Sequence, residues 1–276
     1  MNVKQVNLIS EDGKNLKVLT KKIDNPRAVL CIIHGLGEWS RRYLPFVEYM
    51  RLRRIASFVL DLRGHGYSEG KRGHFKSLKI VLTDIEKFLM LVRSHYHEEP
   101  IFLFGHSLGG NLVANYVLKK QLADIKGFIL SAPWFKLAFE PPRWKMKIAS
   151  ILSRILPFVT FSNSLDPSLL TKDSESNKDY ENDPLIHDRI STSLFVCMAK
   201  NGKEAVDNRT KILIPGLVYH GTDDQVTSIE ASKEFVNNNL GQLEFQSISG
   251  AKHEPHNDTE KEKVMLMIIN WMYKVL

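Results

Sequence analysis

Ile101-Phe102-Leu103-Phe104-Gly105-His106-Ser107-Leu108-Gly109-Gly110 is the stretch on which the fold turns. Four apolar residues in a row suit a strand buried on both faces. From Leu108 to residue 118 the apolar positions recur at helical spacing. Between strand and helix lies G-x-S-x-G, with Ser107 at its centre. Alone, that pattern arises by chance in a chain of this size about one time in ten. In this context it reads as a strand–turn–helix elbow, in which a sharp bend lifts the serine hydroxyl above the sheet at a helix N-terminus. The bend demands neighbours nearly free of side chain, which Gly105 and Gly109 supply. The competing reading is a glycine-rich helix start in which Ser107 is only a cap.

Working outward, the same alternation continues. Runs at 28–33, 55–60, 128–130 and 217–219 read as interior parallel strands, and 3–9 with 15–23 as a hairpin around Glu11-Asp12-Gly13. A further strand-like run covers 243–248. Helical patterns fill 44–52, 78–92, 229–236 and 264–273. This order predicts an α/β fold with a mostly parallel central sheet and helices on both faces. Residues 133–210 break the rhythm. They are too many for an ordinary connection and hold no obvious central strand, so they read as an inserted, mainly helical lid between core segments 1–132 and 211–276.

The 276 residues, 43% hydrophobic and 25% charged, suit one large globular domain. No apolar run approaches the roughly 20 residues of a membrane span. Met1-Asn2-Val3-Lys4-Gln5 lacks the apolar core of a signal peptide, so the expected compartment is cytosolic. Two distant cysteines, Cys31 and Cys197, read as reduced thiols. The net charge of +7 favours an anionic partner. No nucleic-acid module is recognisable, which leaves an anionic membrane surface as the partner to expect. The lid supplies a reason. Aromatic and aliphatic residues from Trp134 to Phe158 alternate there with Lys136, Arg143, Lys145, Lys147 and Arg154. Ile148, Ile151, Leu152 and Ile155 share one helix face, as interfacial docking requires.

A serine hydroxyl needs an imidazole to remove its proton, and the imidazolium needs a buried carboxylate. In this architecture the chain order is serine, acid, histidine. His220-Gly221-Thr222-Asp223-Asp224 follows the last interior strand, and Gly250-Ala251-Lys252-His253-Glu254-Pro255-His256 follows the strand-like run. Each offers two candidates, Asp223 or Asp224 and His253 or His256, and composition does not choose between them. Oxyanion donors should be backbone N–H groups, one from Leu108 and one within His34-Gly35-Leu36-Gly37. His34 and His106 flank these sites and read as structural. A metal site built from His34, His65, His106 and His253 lacks any ligand-spacing motif, so no metal and no cofactor is expected. His253 and Asp258 also fit the H-x4-D spacing of glycerolipid acyltransferases, a pattern common by chance that the serine elbow explains better.

His34-Gly35-Leu36-Gly37-Glu38, Asp61-Leu62-Arg63-Gly64-His65-Gly66-Tyr67-Ser68-Glu69-Gly70, Gly105-His106-Ser107-Leu108-Gly109-Gly110 and Asn182-Asp183-Pro184-Leu185 stand in family order. Together they resemble the monoacylglycerol lipase and lysophospholipase branch of the α/β-hydrolases, from about Val29 to the C-terminus. The resemblance implies that the acid is Asp224, the base His253, and the second oxyanion donor Leu36. It further implies that a glycerol head is held by Glu38, Arg42 and His256, with Tyr180 from the lid. The activity it implies is cleavage of a single-chain acyl ester through an acyl-enzyme on Ser107, with lysophospholipase or general carboxylesterase as the alternative.

Overall fold

The computed structural model describes residues 3–120 and 124–276, except the side chains of Arg143 and Lys145, two of the basic lid residues singled out above. In chain order the elements are β1 (Lys4–Ile9), β2 (Asn15–Lys21), β3 (Ala28–Ile33), α1 (Leu44–Arg51), β4 (Ile55–Asp61), α2 (Leu78–Arg93), β5 (Ile101–His106), α3 (Leu108–Lys119), β6 (Ile125–Ser131), α4 (Arg143–Ile155), β7 (Thr160–Ser162), α5 (Ser174–Asn182), β8 (Arg189–Ser191), α6 (Thr192–Asp207), β9 (Gly216–Gly221), α7 (Ile229–Asn238), β10 (Leu243–Ile248) and α8 (Lys261–Val275). Eight strands form one sheet in the order β1-β2-β4-β3-β5-β6-β9-β10. The β1–β2 and β2–β4 pairs are antiparallel and the rest parallel.

Alternation along each strand divides the core into two apolar layers. On β3, Val29, Cys31 and Ile33 face α2, α3, α6 and α7, while Ala28, Leu30 and Ile32 face α1 and α8. Every residue of β3, β4, β5 and β9 is buried. Each Leu, Ile or Phe so removed from water contributes roughly 1.5–3 kcal/mol before chain entropy is charged against it. Among the described residues no helix is long and apolar enough to cross a membrane.

The stretch between β6 and β9 is mainly helical, with one short strand pair. β7 and β8 pair antiparallel across it, Phe161 opposite Ile190. Its last helix, α6, belongs to the core: Leu194, Met198, Ala205 and Val206 join the same buried layer as α2 and α3. Asn111 Nδ2 on α3 donates to the Met198 carbonyl at 3.1 Å, and a side chain at Gly202 would strike the Phe135 carbonyl. α6 thus packs with the core layer, as do Trp134 and Phe135 at the start of the same stretch. The spacing of apolar residues in α6 announces a buried face but not which body it packs against.

Candidate active site

Loops after β3, β5, β6, β9 and β10 meet at the carboxyl edge of the sheet, where α/β proteins assemble their sites. Ser107 forms the N-cap of α3 at φ 51°, ψ −114°. For a residue with a β-carbon this conformation costs on the order of 1–3 kcal/mol. It is held by three backbone bonds: Ser107 N–H to the Ser131 carbonyl at 3.0 Å, and the N–H groups of Trp134 and Asn111 to the Ser107 carbonyl at 2.9 and 3.1 Å. The glycines are required by crowding. A Cβ on Gly105 would lie 2.4 Å from the Gly109 carbonyl oxygen, and one on Gly109 would lie 2.1 Å from that of Ile33.

His253 and Ser107 line one cavity of about 410 Å³. Asp224 Oδ2 accepts from His253 Nδ1 at 2.8 Å, and the Asp224 side chain is fully buried. Its other oxygen accepts the amides of Val226 and Thr227 at 2.7 and 3.1 Å. Burial alone would raise the Asp224 carboxyl. The His253 charge and the hydrogen bonds of His220 and His253 outweigh that and hold it far below the usual carboxylate range. Burial correspondingly lowers the proton affinity of His253, yet the Asp224 charge and hydrogen bond bring its pKa above the ordinary histidine value. With Nδ1–H given to the carboxylate, Nε2 is left as the proton acceptor. Asp223, the rival acid, is half-exposed and pairs with Lys172 at 3.5 Å.

The loop after β3 carries Leu36, which borders the cavity, and Leu108 follows Ser107 at the first turn of α3. Among the described residues neither backbone N–H has a hydrogen-bond partner. Glu38 Oε1 fixes the loop by accepting the Gly35 amide at 2.6 Å and the Tyr43 hydroxyl at 2.9 Å. His34 is structural: its Nε2 accepts the Leu62 amide at 3.0 Å, so Nδ1–H donates to the Gly35 carbonyl at 2.7 Å. His106 is buried and lines the cavity, its Nδ1 at 3.2 Å from the Ser131 carbonyl. Asp258 serves its own turn, accepting the amides of Lys172, Lys252 and Thr259.

The four residues expected to hold a glycerol head divide into two groups. Glu38 and Tyr180 line the cavity, whereas Arg42 and His256 do not. Arg42 stands behind it, with Nη1 and Nη2 on the two oxygens of Glu254 at 2.7 and 2.8 Å and Nη1 on Glu38 at 3.1 Å. Its guanidinium also covers the Tyr180 ring at 4.8 Å. His256 is stacked on Tyr43 at 5.5 Å between ring centroids, and burial lowers its pKa to about 4, keeping it neutral. Arg42 is thus engaged by the protein's own carboxylates, while the His256 ring meets Tyr43 and, through Nδ1, the Ser131 hydroxyl at 3.3 Å.

Three residues of consequence escaped sequence reasoning. Glu254 lines the cavity; its signal was an acid directly after His253. Thr227 donates its hydroxyl to Asp224 Oδ2 at 2.9 Å. His220 places Nε2 at 2.8 Å from that same oxygen.

A mostly parallel sheet bearing a strained serine on a strand–helix elbow, beside a histidine–carboxylate pair, defines an α/β-hydrolase. The chain belongs to the Hydrolase_4 family, described as serine aminopeptidase, S33, whose model matches residues 24–260. It is 33% identical over 270 residues to an uncharacterized abhydrolase domain-containing protein of Dictyostelium discoideum, covering 96% of this chain but 28% of that protein. It is 29% identical to a putative monoglyceride lipase of Schizosaccharomyces pombe, covering 91% of this chain and 68% of that protein. The crystal structure of Paleococcus ferrophilus monoacylglycerol lipase superposes with a TM-score of 0.83 at 30% identity, over the full length of both chains.

Proposed function

We propose that the protein is a serine esterase that hydrolyses a monoacylglycerol to fatty acid and glycerol. The observation that carries this reading is the His253–Asp224 bond beside a cavity that Ser107 also lines. In the first step His253 Nε2 takes the Ser107 proton while Oγ attacks the ester carbonyl carbon. The Leu36 and Leu108 N–H groups receive the developing oxyanion, each such donor being worth roughly 3–4 kcal/mol in acyl transfer. The intermediate collapses as His253 returns the proton to the departing glycerol oxygen. Water, deprotonated by His253, then cleaves the acyl-enzyme. Residues 133–191 act as the lid over this chemistry.

The cavity's lining supports the substrate class. Leu137, Phe139, Met146, Phe161, Leu165 and Phe195 offer an acyl chain an apolar wall. The same lining holds Glu38, Glu254 and Tyr180, which can accept hydroxyl hydrogens, and among the described residues it contains no Lys or Arg. Such a group suits a glycerol head. Among the described residues a lysophospholipid phosphate would meet no lining cation and would face two carboxyl groups, of which Arg42 offsets one. Two carboxyl groups would also suit the ammonium of an aminoacyl substrate, so an aminoacyl arylamide belongs in the test. We expect kcat/KM for monoacylglycerol to exceed that for lysophosphatidylcholine and the arylamide by at least about tenfold, the factor set by 1.4 kcal/mol. Fluorophosphonate labelling should be lost in Ser107→Ala. The reverse substrate order, or labelling that survives the substitution, overturns the proposal.

A second reading concerns the membrane. Trp144, Ile148, Ile151 and Ile155 on α4 are all largely exposed, a row of apolar side chains beside the cavity's Met146 and Ala149. Such a face suits entry into the headgroup zone of a bilayer, from which a single-chain lipid would be drawn. Vesicle sedimentation measures it.

A further inference from the structure

We infer that His220 is a positioning residue of the proposed relay: it shares one oxygen of Asp224 with His253 and thereby sets how firmly the carboxylate holds a proton on the His253 ring. The inference rests on the esterase reading above. His220 lies near the end of β9, fully buried, on a strand that also carries the buried Leu217, Val218 and Tyr219. Its ring has polar partners on both sides. Nε2 is 2.8 Å from Asp224 Oδ2 and 3.2 Å from the Thr227 carbonyl, and Nδ1 is 2.9 Å from the Ser232 hydroxyl on α7. Facing an ionised carboxylate and a carbonyl, Nε2 carries its hydrogen, so the ring donates to Oδ2 whatever its own charge.

The Oδ2 atom thus receives His253 Nδ1–H at 2.8 Å, His220 Nε2–H at 2.8 Å and the Thr227 hydroxyl at 2.9 Å. Every added donor stabilises the carboxylate charge and leaves less of it to stabilise an imidazolium on His253. His220 restrains the base so that it releases its proton more readily. The other titratable groups facing His253 are Glu254, Glu38, His106 and His256, and none of them is bonded to its ring. A side chain that served packing alone would have no reason to present a donor here.

The test compares His220→Leu, which removes the donor, with His220→Gln, which carries an N–H to about the same point. Profiles of kcat/KM against pH are taken on a nitrophenyl ester, with active enzyme counted by fluorophosphonate labelling of Ser107. In His220→Leu the acid limb should move to higher pH by about half to one unit, the shift corresponding to one lost hydrogen bond. His220→Gln should restore the wild-type limb. A labelled His220→Leu enzyme whose limb stays in place, however slow the enzyme, overturns the inference. If that variant does not fold, low-field proton spectra of the wild-type decide. A His220 Nε2–H resonance that moves as His253 titrates supports the coupling, and one that stays fixed overturns it. Wild-type protein whose Ser107 takes no label would instead sink the esterase reading itself, a separate outcome.

Discussion

Arg42 holds a cation between two buried carboxyl groups, and the three do not balance. Burial raises the Glu38 carboxyl above its usual range, Arg42 pulls it back, and the Glu254 charge pushes it further up. Glu254, gripped by both guanidinium nitrogens, is held well below its ordinary value despite the same burial. Glu254 is therefore the more firmly ionised of the two, and Glu38 the one whose carboxyl is pushed up. We therefore propose for Arg42 a supporting rather than a contacting role. Arg42→Met should cost about 3–5 kcal/mol of stability, because it strands two buried carboxyl groups. Activity should fall alike on monoacylglycerol and on a nitrophenyl ester, because Glu38 also pins the Gly35 amide. Thermal unfolding and paired kinetics check this; an unchanged melting temperature with a KM effect confined to monoacylglycerol would contradict it. At the level of sequence the family resemblance implied that Glu38 and Arg42 hold the substrate head. The third partner, Glu254, lies 212 residues away, and although it directly follows His253 no local pattern pairs it with Arg42.

At the scale of elements, the loop after β3 leans on the segment between α5 and β8. Trp39 Nε1 donates to Asp183 Oδ2 at 2.7 Å, and the His187 amide donates to the Gly37 carbonyl at 3.0 Å. Gly37 takes φ 81°, and a Cβ there would sit 2.3 Å from the His187 carbonyl oxygen. The proposed oxyanion donor at Leu36 is thus braced from outside its own loop. Trp39→Phe keeps the packing and removes the bond. It should lower kcat roughly fivefold, about 1 kcal/mol, with KM changed far less. Steady-state kinetics on a soluble ester measure this, and an unaltered kcat would remove the brace from the account. The elbow itself was legible because all it needs lies within ten residues of chain. Asn182-Asp183-Pro184-Leu185 stood out only as a family mark; its task depends on Trp39, and that contact is made by folding.

Over the whole molecule, strands apolar on both faces made the sheet readable, since only an interior parallel strand tolerates such composition. The insertion was less so, because amphipathic spacing gives a helix a buried side without saying which body covers it. Hence α4, with its apolar row in solvent, and α6, with its apolar row in the core, were both read as parts of one insertion over 133–210. The charge of +7 and the α4 row together predict vesicle binding. The protein should sediment with vesicles of mixed neutral and anionic lipid at low salt, and Trp144→Ala or Lys145→Ala should weaken this. Absence of sedimentation, or indifference to both substitutions, would remove membrane docking from the proposal.

That α6 is core has a practical corollary for exchanging roofs between homologues to change which lipid is accepted. A transplant spanning everything between β6 and β9 would carry away Leu194, Met198 and Val206 and leave a trench beside α3. The natural seam falls at Ser191, whose hydroxyl accepts the Leu194 amide and so starts the helix that must stay behind. Grafts that begin after Phe135 and end there leave the core residues Trp134, Phe135 and α6 in place; cuts made downstream also remove part of the core wall.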